Sequence, residues 1–215
     1  EGDASTTLKK MEGSYENLDF SYGVTLDKRN QSFQPTEGYI LRFDQDVPLI
    51  LDKSSLSNGL KMSKYHSFSD DVIGAFKFYA RTIHGLQDED TRLTNRLFIP
   101  QKRLRGFNTR RVGPKDGGDW VGGNYTTALG FEAQLPNLLP ESTRTDISVF
   151  VDSANVWGVD YNDTIDDTNK IRSSFGISAN MFTTVGPLSF TFAQDITKST
   201  NDETETFNFR LGTSF

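Results

Sequence analysis

The 215-residue sequence predicts an all-β fold, an antiparallel barrel that crosses a membrane with its strands. Apolar and polar residues alternate along nine segments, and short turns alternate with long loops between them. No apolar run approaches the roughly 20 residues that a membrane-spanning helix needs. A transmembrane strand needs only about 9 to 11 residues and shows lipid every second one, so the mean hydropathy of −0.52 is no guide to it.

Alternation is clearest between Asn124 and Leu135, where one register is apolar or small and the other carries Glu132 at mid-length. A charge midway along such a strand must face a wet space, so we predict lipid on one side and a polar lumen on the other. Eight further segments alternate in the same way. The nine predicted strands lie at about 19–27, 39–44, 60–68, 72–81, 124–135, 146–152, 171–181, 188–197 and 206–215.

The apolar registers of the last five strands define the predicted outer face. A soluble β-sandwich also alternates, but it would bury these side chains in a closed core, and its strands are seldom this long and evenly spaced. Phe150 stands in a polar register and interrupts it. The side chains predicted to face lipid are Leu129, Phe131, Val149, Val151, Phe175, Ile177, Phe190, Phe192, Phe209 and Leu211.

The connections also alternate in kind. Residues 136–144 and 184–187 form short turns rich in proline and glycine, whereas 158–170 form a long acidic loop. The connection over about 86–122 is longer still. Outer-membrane barrels have short periplasmic turns and long extracellular loops, and complete bacterial ones have an even number of strands. We therefore predict that residues 1–215 are the C-terminal part of a larger barrel whose other strands lie upstream.

Composition and charge exclude several functions. The net charge of −6 disfavours nucleic acid as a partner, because phosphate binding needs a concentrated basic surface. The sequence has no cysteine, and its two histidines, His66 and His84, stand in no metal-binding or nucleophile spacing. The aspartates of the 158–170 loop are interpreted as a solvated charge run. We expect no enzymatic activity, no cofactor and no metal site.

The long loop contains the most informative motif. If Arg105 folds back into the lumen, its guanidinium needs carboxylate partners, because an unpaired charge in a confined interior is costly. Glu132 and Asp152 lie on the lumen-facing registers of the next two strands, so we predict that Arg105 contacts one of them. Gly106 would allow close backbone approach, and Phe107 would anchor the loop by burial. The motif residues are Arg103, Leu104, Arg105, Gly106 and Phe107.

The Arg103–Phe107 motif, followed by Val-Gly-Pro-Lys at 112–115, resembles the (V/I/L)-R-G-F motif of the sixth extracellular loop in the BamA family, whose members carry a bacterial surface antigen barrel domain. The turn at 27–38 resembles that family's D-x-R-(D/N) and F-x-P-T-x-G motifs. Residues 152–157 resemble its D-x-G-x-V-W strand end, with Ala154 where the family usually has glycine. Gly186-Pro187-Leu188 and the terminal Phe215 also match, so the resemblance extends from about residue 18 to the end.

The resemblance implies a barrel of about 16 strands in the bacterial outer membrane, preceded by POTRA domains that this sequence lacks. It implies a factor that folds and inserts β-barrel proteins, with nascent outer-membrane proteins, assembly-machine lipoproteins and outer-membrane lipid as partners and no cofactor. An incoming strand would pair at a weak seam between the first and last strands. The resemblance also implies an assembly signal in the last strand, formed by Phe207, Phe209, Leu211 and Phe215.

Other interpretations remain open from the sequence. Phe215 could serve only in the interfacial aromatic girdle. A TamA-like or two-partner-secretion translocator would share the R-G-F loop and would differ in its upstream domains. A passive porin would have an open lumen, and a barrel phospholipase would need a Ser-His pair.

Overall fold

The structure is a computed structural model that describes residues 18–50, 54–87, 89–184 and 186–212, together with positions 9, 13 and 16. Phe215, the last residue of the predicted terminal signal, lies outside the described residues. The eleven strands are β1 (Leu18–Asp27), β2 (Gly38–Ile50), β3 (Ser55–Ser69), β4 (Val72–Gly85), β5 (Lys115–Asp116), β6 (Asp119–Trp120), β7 (Tyr125–Leu135), β8 (Thr145–Trp157), β9 (Arg172–Thr183), β10 (Gly186–Thr197) and β11 (Phe207–Leu211). Three single turns of 3-10 helix lie at Leu93–Asn95, Gln101–Arg103 and Glu141–Thr143.

Nine of these strands form one antiparallel sheet in chain order, β1-β2-β3-β4-β7-β8-β9-β10-β11, while β5 and β6 form a small separate hairpin. The predicted all-β fold with nine main strands is thereby confirmed. Several strands are longer than the alternation indicated. The predicted strand at 39–44 continues to Ile50, because Gln45 interrupts the alternation while residues 45–48 still pair with β1, followed by a register shift before Ile50. Within the described residues, β1 and β11 do not pair, so the sheet is not closed in this chain.

The outer face of the sheet is apolar and exposed. Nine of the ten side chains predicted to face lipid are exposed, from 40% for Leu129 to 62% for Leu211. Phe190 is only half-buried rather than exposed, a correction to the prediction, because its ring packs against that of Phe209 with centroids 5.2 Å apart. Such exposure excludes the closed core of a soluble sandwich. Within the part of the chain that the structure describes, no helix is long and apolar enough to cross a membrane.

The inner face is polar along β8–β10 and is covered by the 86–124 connection. Small polar side chains such as Ser174, Ser178 and Thr191 are buried there. The main apolar cluster lies between the sheet and this connection rather than between two sheets. Its members are Tyr79, Ile99, Leu104, Phe107, Val112, Ala128, Ala154 and Val156. The fold therefore places a loop against the inner wall, where the sequence predicts the R-G-F motif.

Candidate functional site

The two ends of the long connection pair with each other where it enters the lumen. Leu97 and Gly123 exchange two backbone hydrogen bonds of 2.8 and 2.9 Å, so the chain leaves and returns at the same point. Gly122 makes this possible with a φ of +69°, and a Cβ there would come within 2.5 Å of the carbonyl oxygen of Leu97. Between these ends, Leu104 and Phe107 are 2% and 3% exposed. Burial of these two apolar side chains holds the loop against the wall.

Arg105 lies between the two carboxylates that the sequence indicated. Its Nε and Nη2 donate to the two oxygens of Asp152 at 2.8 and 2.9 Å, a bidentate contact, and its Nη1 donates to Oε2 of Glu132 at 3.0 Å. The backbone N–H of Arg105 also donates to Asp152 at 3.1 Å. A bidentate arginine–carboxylate pair stabilises the contact and also restricts the orientation of the two side chains. The predicted contact of Arg105 with Glu132 or Asp152 is present with both.

Two further side chains complete this cluster. The centre of the Arg105 guanidinium lies 3.4 Å from the centroid of the Phe150 ring, which explains why an aromatic residue interrupts the polar register of β8. Lys77 of β4 donates to the same Glu132 oxygen at 3.0 Å. Two cations, Arg105 and Lys77, thus face two carboxylates. The contact of a cation with the face of an aromatic ring, as for Arg105 and Phe150, contributes roughly 0.5 to 2 kcal/mol. Arg103, the first motif residue, lies over the Tyr79 ring at 5.4 Å.

The Arg105 cluster is largely shielded from solvent. The side chains of Arg105, Glu132 and Asp152 are 11%, 7% and 2% exposed. A buried ion pair gains little over an apolar replacement, but removing one partner leaves a buried charge and costs about 3 to 5 kcal/mol. The cluster therefore specifies where the loop lies rather than adding much net stability.

Gly106 follows with a backbone conformation that few other residues tolerate. Its φ is +89°, and a Cβ built on it would lie 2.9 Å from the Cβ of Ala193 on β10. The adjacent Arg105 carbonyl accepts a hydrogen bond from the Ser174 hydroxyl at 2.5 Å. The motif backbone therefore touches β9 and β10 directly, and the glycine permits that approach.

The sequence did not predict the contacts that the motif makes on the side away from β7 and β8. The connection between β10 and β11 runs back along the loop: the N–H of Glu205 donates to the carbonyl of Gly106 at 2.9 Å, and that of Asn108 donates to the carbonyl of Glu203 at 2.9 Å. Phe107 and Thr204 form an isolated antiparallel bridge. The motif is thus held between the barrel wall and residues 202–206. No alternation marks such a short irregular pairing.

A second buried arginine was also missed. Arg172 of β9 donates from Nε to Asp202 at 2.8 Å and from Nη1 to Asn155 at 2.6 Å, and the backbone N–H of Gly113 donates to Asp202 at 3.1 Å. Arg172 and Asp202 are 3% and 8% exposed. The signal available in the sequence was an arginine in the lumen-facing register of β9, which required an acidic partner.

A third pairing secures the base of the loop. Arg96 pairs with Asp160, which also accepts hydrogen bonds from Asn124 at 2.7 Å and from the N–H of Thr91 at 2.9 Å. Burial acts to raise the pKa of Asp160, but these hydrogen bonds and the Arg96 charge outweigh it, and the pKa lies below its ordinary value. Asp160 is thus an ion-pair partner rather than part of a solvated charge run.

The terminal strand lies beside this assembly. Phe207, Phe209 and Leu211 face outward and are 47%, 51% and 62% exposed. Their strand pairs with β10 from Leu188 to Phe192, and the Phe192 and Phe207 rings are 4.8 Å apart. These residues carry a continuous apolar stripe on the edge strand of the sheet. Their proposed role as an assembly signal remains a prediction.

Comparison with known proteins identifies the family. Residues 2–215 match the model of the Omp85 superfamily domain. The chain belongs to the Omp85 superfamily. It is 27% identical over 220 residues to the outer membrane protein assembly factor BamA of Neorickettsia risticii, covering 100% of this chain and 30% of that protein. It is 23% identical over 136 residues to the human sorting and assembly machinery component 50 homolog, covering 62% of this chain and 29% of that protein.

A solved structure agrees with this Omp85 assignment. The crystal structure of BamA from Haemophilus ducreyi lacking POTRA domains 1-3 superposes with a TM-score of 0.77 at 25% identity, covering 89% of this chain and 41% of that chain. The present chain spans less than a third of the two curated relatives, at 30% and 29% of their lengths. This Omp85 chain is therefore part of a β-barrel of the bacterial outer membrane, and the resemblance inferred from its motifs is confirmed.

Proposed function

We propose that this Omp85 chain is the C-terminal barrel part of an outer-membrane protein assembly factor, which folds β-barrel proteins and inserts them into the outer membrane. The observation that carries the proposal is the Arg105 cluster, which fixes the R-G-F loop inside the wall, in contact with the connection that leads into β11. Relatives whose names describe assembly factors or assembly machinery support it. We expect upstream strands and POTRA domains as parts of the whole protein, and assembly-machine lipoproteins as its partners.

The position of the loop argues against a passive porin. An open pore needs a lumen free of packed chain, whereas Leu104, Phe107 and Val112 are buried between the loop and the wall. The loop thus narrows the lumen along β7–β10. Transport through a wide aqueous channel would require expelling a packed apolar cluster. Strand pairing at the edge of the barrel does not require this cluster to be expelled.

The terminal strand supplies the chemistry that the proposed function needs. An edge strand presents backbone N–H and carbonyl groups that can pair with another strand, and addition of a strand needs no nucleotide or catalytic residue. In the hydrocarbon region an unpaired backbone group costs several kcal/mol, so a client strand gains by pairing there. We propose that the function involves no enzymatic step and no cofactor.

The test compares two arginines of the same loop in the full-length protein. Arg105→Ala removes the central cation, whereas Arg110→Ala removes an exposed arginine that lies over the Phe98 ring. Each variant is reconstituted in vesicles with the assembly lipoproteins, and insertion of a denatured client barrel is followed by its heat-modifiable mobility. We expect at least a tenfold loss of insertion rate for Arg105→Ala and nearly unchanged insertion for Arg110→Ala.

Arg105→Lys separates a folding defect from a functional one. Lysine keeps the charge but cannot make the bidentate contact, so insertion should recover only in part. Wild-type insertion by Arg105→Ala protein that is itself fully heat-modifiable would contradict the proposal. So would secretion of a soluble partner in place of client insertion, which would favour a two-partner-secretion translocator.

A further inference from the structure

An open apolar groove with a volume of about 940 Å³ runs across the outer face of the sheet. Its lining comes from β3, β4 and β7–β10. Ala133 and Val149 are adjacent in the ladder and form a low row of small side chains along it, whereas the Phe68 ring covers Gly74 at the end of the groove. The Phe76 and Phe131 rings, 5.1 Å apart, stand on one side of that row. Each strand that lines the groove is paired on both sides within this chain.

The groove runs obliquely through the depth of the membrane and does not stay at one depth. In the ladder, Phe192 of β10 connects through Ile177, Val149 and Ala133 to Gly74, which pairs with His66 of β3. Phe192 lies at the middle of its strand, whereas Gly74 and His66 lie close to the short turn between β3 and β4. Short turns are periplasmic. The groove therefore descends from mid-membrane towards the periplasmic interface.

The lower end of the groove carries the cation of Lys64, and the carboxylate of Glu37 lies beside this end, next to His66. Lys64 and His66 contribute to its lining, and Lys64 is exposed on the outward register with no ion-pair partner among the described residues. Glu37, from the turn between β1 and β2, lies 3.2 Å from Nδ1 of His66 and is 48% exposed. The hydrogen bond from the backbone of Ser67 lowers the pKa of Glu37, with contributions from His66 and Lys64, so Glu37 is a carboxylate. Tyr39 pairs with Lys64 across the ladder.

We propose that this groove binds a phospholipid of the periplasmic leaflet that carries a primary ammonium group. Its acyl chain lies along Ala133, Val149 and Ile177, its phosphate accepts hydrogen bonds from Lys64, and its ammonium donates to Glu37. The charges are complementary at this interface, because a zwitterionic head group matches one cation and one carboxylate that lie at the same end of an apolar groove. A lipid-facing lysine is also more favourable close to the interface, where its ammonium can reach phosphate.

The experiment measures lipid retention by the full-length protein in detergent, using native mass spectrometry. Dioleoyl phosphatidylethanolamine, phosphatidylcholine and phosphatidylglycerol are titrated separately. We expect one phosphatidylethanolamine to be retained preferentially, because phosphatidylcholine has no N–H to donate and phosphatidylglycerol places no cation beside Glu37. Lys64→Gln should weaken its binding about tenfold through the loss of a charge-assisted hydrogen bond, and Glu37→Gln should remove the preference over phosphatidylcholine.

Two further variants make the test decisive. Lys28→Gln removes the same charge from an exposed position at the same end of the barrel, outside the groove, and should leave retention unchanged. Ala133→Leu fills the low row and should weaken binding of all three lipids, while heat-modifiable mobility reports that the barrel is folded. Equal retention of phosphatidylethanolamine and phosphatidylcholine by the wild type would overturn the proposal. Equal effects of Lys64→Gln and Lys28→Gln would do the same.

Discussion

Arg105 and Arg172 are both buried arginines in the lumen, but they connect loop and wall in opposite directions. Arg105 belongs to a loop and reaches carboxylates on two wall strands, Glu132 on β7 and Asp152 on β8. Arg172 belongs to the wall and, among the residues that the structure describes, reaches a single carboxylate, Asp202, in the connection before the terminal strand. Arg105 therefore keeps a carboxylate partner when one of its two acids is removed, whereas Arg172 does not. This difference separates a contact that positions a motif from one that mainly stabilises the fold.

The largest expected effect sharpens this comparison. Asp202→Asn leaves Arg172 buried without a carboxylate and should lower the free energy of unfolding by about 3 to 5 kcal/mol. Asp152→Asn leaves Arg105 paired with Glu132 and should cost less, about 1 to 3 kcal/mol. Urea unfolding of both variants in lipid vesicles measures the difference. The reverse order of stability would show that Arg105, not Arg172, is the principal structural arginine.

A smaller effect is expected from the backbone that carries Arg105. Gly106→Ala adds a methyl group 2.9 Å from Ala193 at a φ of +89°, so about 1 to 3 kcal/mol of strain should loosen the loop from the wall. Gly117→Ala is the matched control, because its φ is +60° and no atom lies within 4 Å of the added Cβ. Trypsin cleavage after Arg110 and Arg111 reports loop release. Equal cleavage of the two variants would show that the contact with β10 is unimportant.

The smallest expected effect concerns pH and the third ion pair, at the base of the loop. The pKa of Asp160 is lowered in the folded chain, so its contribution to stability is full above the ordinary aspartate pKa of about 3.9 and is lost as pH falls through the lowered value. Asp160→Asn should therefore reduce the loss of stability that the protein shows as pH falls below about 4, measured as the unfolding midpoint against pH. Asp163→Asn, in the same loop, should leave that loss unchanged. An equal change in both variants would argue for general charge repulsion.

The sequence predicted the wall better than it predicted what lies inside it. Alternation located all nine sheet strands, because lipid on one side and a polar lumen on the other impose a period of two. The same logic paired Arg105 with Glu132 and Asp152, since both acids follow from strand registers. It could not place Asp202, which lies in an irregular connection without periodicity. It also treated Phe150 as an irregularity, because the ring's partner arrives from a loop more than forty residues earlier in the chain.

The pairing between β10 and β11 also has consequences for local stability. It covers only Leu188–Phe192, whereas the ladder between β9 and β10 runs along nearly the whole of both strands. Residues 203–205 are held instead by the loop, through Gly106 and Asn108. Local opening free energies follow the number of protected backbone hydrogen bonds. Amide protons of Phe207–Leu211 should therefore exchange with deuterium well before those of β8 and β9, and release of the loop should accelerate that exchange further.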